Sequence, residues 1–412
     1  MLRLSRLSST KILTLIEISR LLMSLVTMLI TAQFYPPHEY VVVVNVIAIT
    51  TLFSGIASLG LPILLLTKPD QQKQKFAEAG FLLSFTAFGI PFIILECFSL
   101  SHHGVPLNKA FPLVVAEVLF AAVIQFNSRK LLGRQNISML MALVGLSTGI
   151  RLVAYCFAAF TENYVVVYWT YAIAIIFLSI WSLSLSPIEA WKLRNQGKDA
   201  IKDSFALGVS SMLMTALDNL PTYFATTLLP PVNAATFALA LRITSVTTIP
   251  GQSLSTAFLP RMKKHSHDKT LQVAIVGTVT SLVLMLMALV ALSTDKLFPQ
   301  YPSLAWYVLL FSPLAWARVF SISYGNILFI HDFARSRVKY IACGLIALVV
   351  AFLLSQGTPL TSQIKMMIYS CVLIEILIML AIVLKALKIL RDHPTEHIDQ
   401  ERDSNSSNSE IG

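Results

Sequence analysis

Four arginines, Arg20, Arg151, Arg242 and Arg318, stand inside long apolar stretches of this chain. Each is a permanent cation whose planar fork of N–H donors matches the oxygens of a carboxylate or a phosphate. Even on the mildest scale a mid-bilayer arginine costs about 2.5–3.5 kcal/mol, so each needs a partner or water. Two chemistries satisfy that need: an ion pair with a carboxylate on another helix, or an anion held in a wet cavity. Arg242 poses the choice most sharply, because FALALRITSVTTIPG, Phe237 to Gly251, contains no other charge. Asp218, Glu375 and Glu117 are the candidate buried carboxylates, and Glu17, three residues before Arg20, is placed for an intrahelical pair near a helix end. Asp218, Glu17 and Glu375 are also candidates for ion coupling or gating, since an intramembrane carboxylate can change charge when its access to water changes. Glu78 and Glu96 stand close to helix ends and read as interfacial.

The elements that carry these groups are long apolar helices. The 412 residues are 56 % hydrophobic and 13 % charged, with a mean hydropathy of +0.72, which marks an integral membrane protein. Uncharged runs such as 164–185 and 271–292 match the roughly 20 residues that a helix needs to cross a bilayer, whereas a barrel would show short alternating segments. Twelve spans are predicted, at 12–33, 40–66, 77–100, 111–127, 137–160, 164–185, 205–229, 233–258, 271–292, 304–330, 340–357 and 364–390. The fold class is therefore all-α integral membrane. Lys and Arg in the links are divided 23 to 3 between the two sides, which predicts that both termini are cytoplasmic and accounts for the +10 net charge without nucleic acid. Residues 391–412 read as a disordered tail.

The link at 186–204 separates two sets of six spans with the same orientation, giving bundles at 1–185 and 205–390 and a parallel repeat. Tyr35-Pro36-Pro37 matches Leu229-Pro230-Pro231 at an offset of 194. Glu17, Arg20, Ser24, Thr27 and Thr31 share one helical face, as do Ser211, Thr215, Asp218, Thr222 and Thr226. The same offset brings Asp218 onto Ser24, so equivalent stripes look into a shared cavity. For the hydroxyls alone, bonding back to the helix's own carbonyls is the competing account. Prolines 62, 91, 221, 250 and 313 mark possible bends. The four cysteines lie in four different spans without metal-ligand or redox spacing, so no metal or cofactor is expected. No nucleotide-binding, nucleophile-elbow or zinc-protease pattern is present, and the chain reads as no enzyme.

The stretch ALDNLPTYFATTLLPPVNAATFALALRITSVTTIPGQSLSTAFLPRM, Ala216–Met262, resembles the start of the second half of Wzx-type lipid-linked oligosaccharide flippases, relatives of the MATE exporters. The likeness lies in an acid before a short proline turn, then a small-residue helix with AL-R that ends in LPR. FYPPHEYVVVVNVIAITTLFSGIASLGLP, Phe34–Pro62, echoes it in the first half, although the usual Gly-x-Tyr after the turn is missing in both. The resemblance implies a MATE-like V of two six-helix bundles with a cationic cavity, embedded in the bacterial inner membrane. It implies movement of undecaprenyl-diphosphate-linked O-antigen or related units to the periplasmic leaflet, coupled to H+ or Na+, with other polysaccharide-assembly membrane proteins as candidate partners. Asp218 and Arg242 match its pattern directly; Arg20, Arg151 and Arg318 rest on depth and face. A MATE-like small-molecule exporter and a membrane glycan polymerase are the alternatives. The arginines count against a cation exporter, and outer links of only about four to eleven residues count against a polymerase.

Overall fold

The computed structural model describes residues 26–58, 71–133, 136–183, 193–248, 296–301, 303–330 and 334–392, with Met23, Leu61 and Thr294. Glu17, Arg20, Ser24, span nine, the LPR end of the motif and the tail lie outside the described residues, and so does the side chain of Ser211. The described residues are helical throughout apart from short links, and eight of their helices are long and apolar enough to cross a membrane.

In the first half, after a helical stretch at 26–34, the elements are α1 Pro37–Ser58, α2 Gln71–Ser84, α3 Ile90–His102, α4 Leu107–Val118, α5 Gln125–Gly133, α6 Ile137–Thr161 and α7 Tyr164–Leu183. The second half has α8 Arg194–Leu228, α9 Pro231–Thr247, α10 Leu304–Ile330, α11 Ala334–Ser355 and α12 Leu360–Asp392. Single π-helical turns, Phe85–Gly89 and Leu119–Ile124, join α2 to α3 and α4 to α5, so each pair crosses as one continuous span. The paired Pro-Pro motifs have one structural meaning. Pro37 and Pro231 open α1 and α9 at the first helical position, where a missing N–H costs nothing and the fixed φ suits the helix.

The halves join mainly where α8 packs against α1 and α2 and where α9 packs against α1. The charged stretch expected to be part of a link is instead the first three turns of α8, beginning at Arg194. Its buried residues Gly197, Ala200 and Ser204 recur at steps of three and four, so a polar sequence still offers α2 an apolar face. A Cβ on Gly197 would stand 2.7 Å from the Gly80 backbone nitrogen, and one on Gly80 would stand 2.9 Å from the Gly197 carbonyl oxygen. Small residues let these two backbones touch. Gly197→Leu is expected to destabilise the purified protein by about 1–3 kcal/mol through overpacking, read as a lower melting temperature.

One face of the molecule carries the short links at 35–36, 103–106, 162–163, 229–230 and 356–359. Here the halves are tied together: the Gln300 amide donates to the carbonyls of Ala32 and Gln33, and the rings of Tyr40 and Tyr301 lie 5.9 Å apart. The side chains of Lys109 and Glu39 also pair at this face. At the opposite face, Glu78 is buried and bonded to Lys130 at 2.9 Å.

Candidate functional site

Glu117 closes α4 just before its π-helical turn, and Arg151 lies beyond the middle of α6. The two meet side by side: Arg151 Nε donates to Oε1 at 3.1 Å and a terminal nitrogen to Oε2 at 2.8 Å. Tyr155, one turn along α6, and Tyr171 of α7 donate to the same Oε1 at 2.7 and 3.1 Å. The Phe120 ring covers the guanidinium at 4.7 Å. With Glu117 at 1 % exposure and Arg151 at 7 %, this is a buried, bidentate ion pair.

Arg318 of α10 is held twice. Its Nε donates to Glu375 Oε1 of α12 at 2.8 Å, and a terminal nitrogen lies 3.1 Å from Asp218 Oδ1 of α8. A third nitrogen reaches Ser245 Oγ on α9 at 3.1 Å. Glu375 is buried, whereas the Asp218 side chain is half exposed, so the acidic side of this cluster opens toward solvent only at Asp218. Pro221 lies one turn further along α8 and cannot donate to the Leu217 carbonyl, which loosens the helix beside that carboxylate.

Arg242 differs from both. One terminal nitrogen donates to the Asn219 side-chain oxygen at 2.9 Å, its Nε is buried without a partner, and it has no ion pair among the described residues. Although it belongs to α9 in the second half, it helps to line a cavity of about 170 Å³ whose other lining groups, among the described residues, come from the first. Glu117, Arg151, Thr27, Gln125 and Thr148 share that cavity. Since Glu117 neutralises Arg151, Arg242 gives the lining formed by the described residues a net positive charge. Its volume holds several waters or a phosphate-sized group.

The structure divides the arginines between the two chemistries weighed from the sequence, ion pairs for Arg151 and Arg318 and a cavity without an ion pair among the described residues for Arg242. Arg151 and Arg242 border the same cavity, but Arg318 lines a separate one of about 40 Å³ with Asp218 and Glu375. The reason is that Arg151 and Arg318 each lie beside carboxylates of their own half, which claim the guanidinium. The expected hydroxyl stripes are only partly cavity groups: Thr27 and Thr226 bond back to Met23 O and Tyr223 O, though Thr27 still lines the larger cavity. Asn219, Tyr155 and Tyr171 were not singled out from sequence. Tyr155 was findable, because it follows Arg151 by four residues and so shares its helical face.

Neither a protein-family model nor a curated protein matches the sequence. Solved structures do match its shape. A multidrug resistance MATE family transporter of the MOP superfamily in its inward-facing conformation superposes with a TM-score of 0.71 at 13 % identity, covering 90 % of this chain and 95 % of that one. The chain has the MATE transporter fold. An outward-facing MATE structure of the same superfamily gives 0.61 at 13 % identity, covering 94 % of this chain and 97 % of that one. The lipid II flippase MurJ in an inward closed conformation gives 0.55 at 10 % identity over 91 % and 90 %.

Proposed function

We propose that this protein is a flippase for anionic lipid-linked glycans, moving undecaprenyl-diphosphate-linked O-antigen or related surface-polysaccharide units across the bacterial inner membrane by alternating access. The observation that carries this reading is Arg242, a guanidinium with no ion pair among the described residues and an unused buried N–H, in a cavity walled by both halves. Phosphate oxygens supply what that group lacks, while the polyprenyl tail remains in lipid. The bundles at 1–185 and 205–390 are the moving bodies. The 23-to-3 distribution of link cations supports placing the basic face and both termini in the cytoplasm.

Arg151 and Arg318 then act through their pairs, the first shaping the cavity wall and the second tethering Asp218. Asp218 is the coupling or gating group of this reading, because it alone of these three carboxylates is half exposed and so able to exchange H+ or bind Na+. Asp218→Asn is expected to slow transport in vesicles and to remove its dependence on pH or sodium. Unchanged transport and unchanged ion dependence would reduce Asp218 to a structural partner of Arg318.

The experiment that tests the function itself is reconstitution with a fluorescent polyprenyl-diphosphate-linked saccharide. Transbilayer movement that requires the protein supports the reading. Transport of small organic cations with no movement of the lipid-linked probe would replace it with an exporter.

A further inference from the structure

Asp218 and Asn219 are consecutive on α8 and serve two different arginines. The Asp218 carboxylate pairs with Arg318 of α10, while the buried Asn219 amide holds Arg242 of α9. The orientation of that amide follows from its second bond. Its Nδ2 donates to the Thr215 carbonyl, one turn back, at 2.9 Å, and a carbonyl oxygen can only accept, so Oδ1 is the atom turned to the guanidinium. Arg242 is thus gripped at one terminal nitrogen by a neutral oxygen, with its Nε buried and unpartnered.

The carboxylates of the two cavities are committed elsewhere. Glu117, which lines the larger cavity with Arg242, accepts bonds from Arg151, Tyr155 and Tyr171. Glu375 and Asp218 are held by Arg318. Ser245, one turn along α9 from Arg242, also takes a bond from Arg318, so the two arginine sites adjoin and divide at the step from Asp218 to Asn219. The side chain at 219 therefore decides the charge of the larger cavity. With an amide there, the lining formed by the described residues is net positive. A carboxylate of nearly the same shape would cancel Arg242 as Glu117 cancels Arg151. Its second oxygen could not bond the Thr215 carbonyl, and turning it to the unused Nε would complete a two-pronged pair.

We propose that Asn219 is a positioning residue that sets the sign of charge accepted by the larger cavity, a neutral clamp that orients Arg242 without discharging it. The ligand class it selects is a headgroup bearing phosphate oxygens, whose negative charge and acceptors suit the remaining N–H groups of Arg242. The order Asp-Asn is then functional, since exchanging the two would neutralise Arg242 and leave Arg318 with Glu375 as its carboxylate. The proposal rests on the flippase reading only for the identity of the anion.

One arm of the test uses no substrate. Purified protein is treated with butanedione, a small arginine reagent, and the modified residues are located by peptide mass mapping. Arg242 should react at least about tenfold faster than Arg151 and Arg318, whose guanidinium groups are taken by carboxylates. Asn219→Asp should slow the reaction of Arg242 about tenfold, and Asn219→Ala should leave it reactive. These variants separate charge from shape, because a residue needed only for packing would be hurt more by alanine than by its near-isostere aspartate. The other arm measures binding of a short-chain polyprenyl diphosphate. Asn219→Asp should bind at least about tenfold more weakly than wild type, and Asn219→Ala within about threefold of it. Equal reactivity of Arg242 in wild type and Asn219→Asp, an unreactive Arg242 in wild type, or greater damage by alanine than by aspartate overturns the proposal. So does an Asn219→Asp protein that melts below Asn219→Ala, since a completed ion pair should not unfold the chain. If the reactivity pattern holds but wild type does not bind the diphosphate, the flippase reading falls and the role of Asn219 stands.

Discussion

Replacing Arg242 by alanine is expected to remove most surface-glycan complementation at normal protein level, while Arg242→Lys keeps part of it. The prediction follows from how little Arg242 does for the fold. It has one hydrogen bond, to Asn219, an unused Nε and no ion pair among the described residues. Alanine therefore leaves no carboxylate stranded, and membrane abundance should be close to wild type. Losing the cation removes charge-assisted bonds worth about 1.5–3 kcal/mol each to a bound anion, or roughly ten- to a hundredfold in affinity. Lysine retains the charge but not the fork, which explains the intermediate outcome. A structural arginine would give the opposite pattern, with reduced folded protein and normal activity per molecule.

Glu117→Ala should produce the largest loss of stability of any substitution considered. It would leave Arg151 charged and buried beneath Phe120 and would remove the acceptor shared by the hydroxyls of Tyr155 and Tyr171. Breaking a buried pair from one side costs about 3–5 kcal/mol, enough to empty the membrane of folded protein. The double replacement Glu117→Leu, Arg151→Leu should recover much of that loss, since no unpaired charge remains. Abundance by immunoblot and melting of purified protein measure both. Recovery of stability without recovery of transport would show that the pair also shapes the cavity.

The membrane class and the special status of the arginines are legible because charge inside apolar runs is costly and therefore conspicuous. So are the carboxylates able to meet them. What sequence could not give was the partner of each arginine. Asp218 and Asn219 are adjacent, yet successive helical residues point about 100° apart. Asp218 therefore meets Arg318 of α10, and its neighbour meets Arg242 of α9. The passage of Arg242 into a cavity of the other half depends on how α9 lies against α1, a tertiary fact without a local signal. The start of α8 is hard to read for a similar reason: its charges suggest a link, and only the contact with Gly80 shows why Gly197, Ala200 and Ser204 form a buried face. Glu96 lies near a helix end and is nonetheless buried, because depth along the helix says nothing about which side its carboxyl faces.

The central claim, that Arg242 holds the phosphates of a lipid-linked substrate, is tested most directly by equilibrium binding of a short-chain polyprenyl diphosphate to purified protein in detergent. Wild type should bind the diphosphate at least about tenfold more tightly than Arg242→Ala, a difference of ~1.4 kcal/mol, and both should bind the corresponding polyprenyl alcohol equally. Equal affinity of the two proteins for the diphosphate would contradict the account.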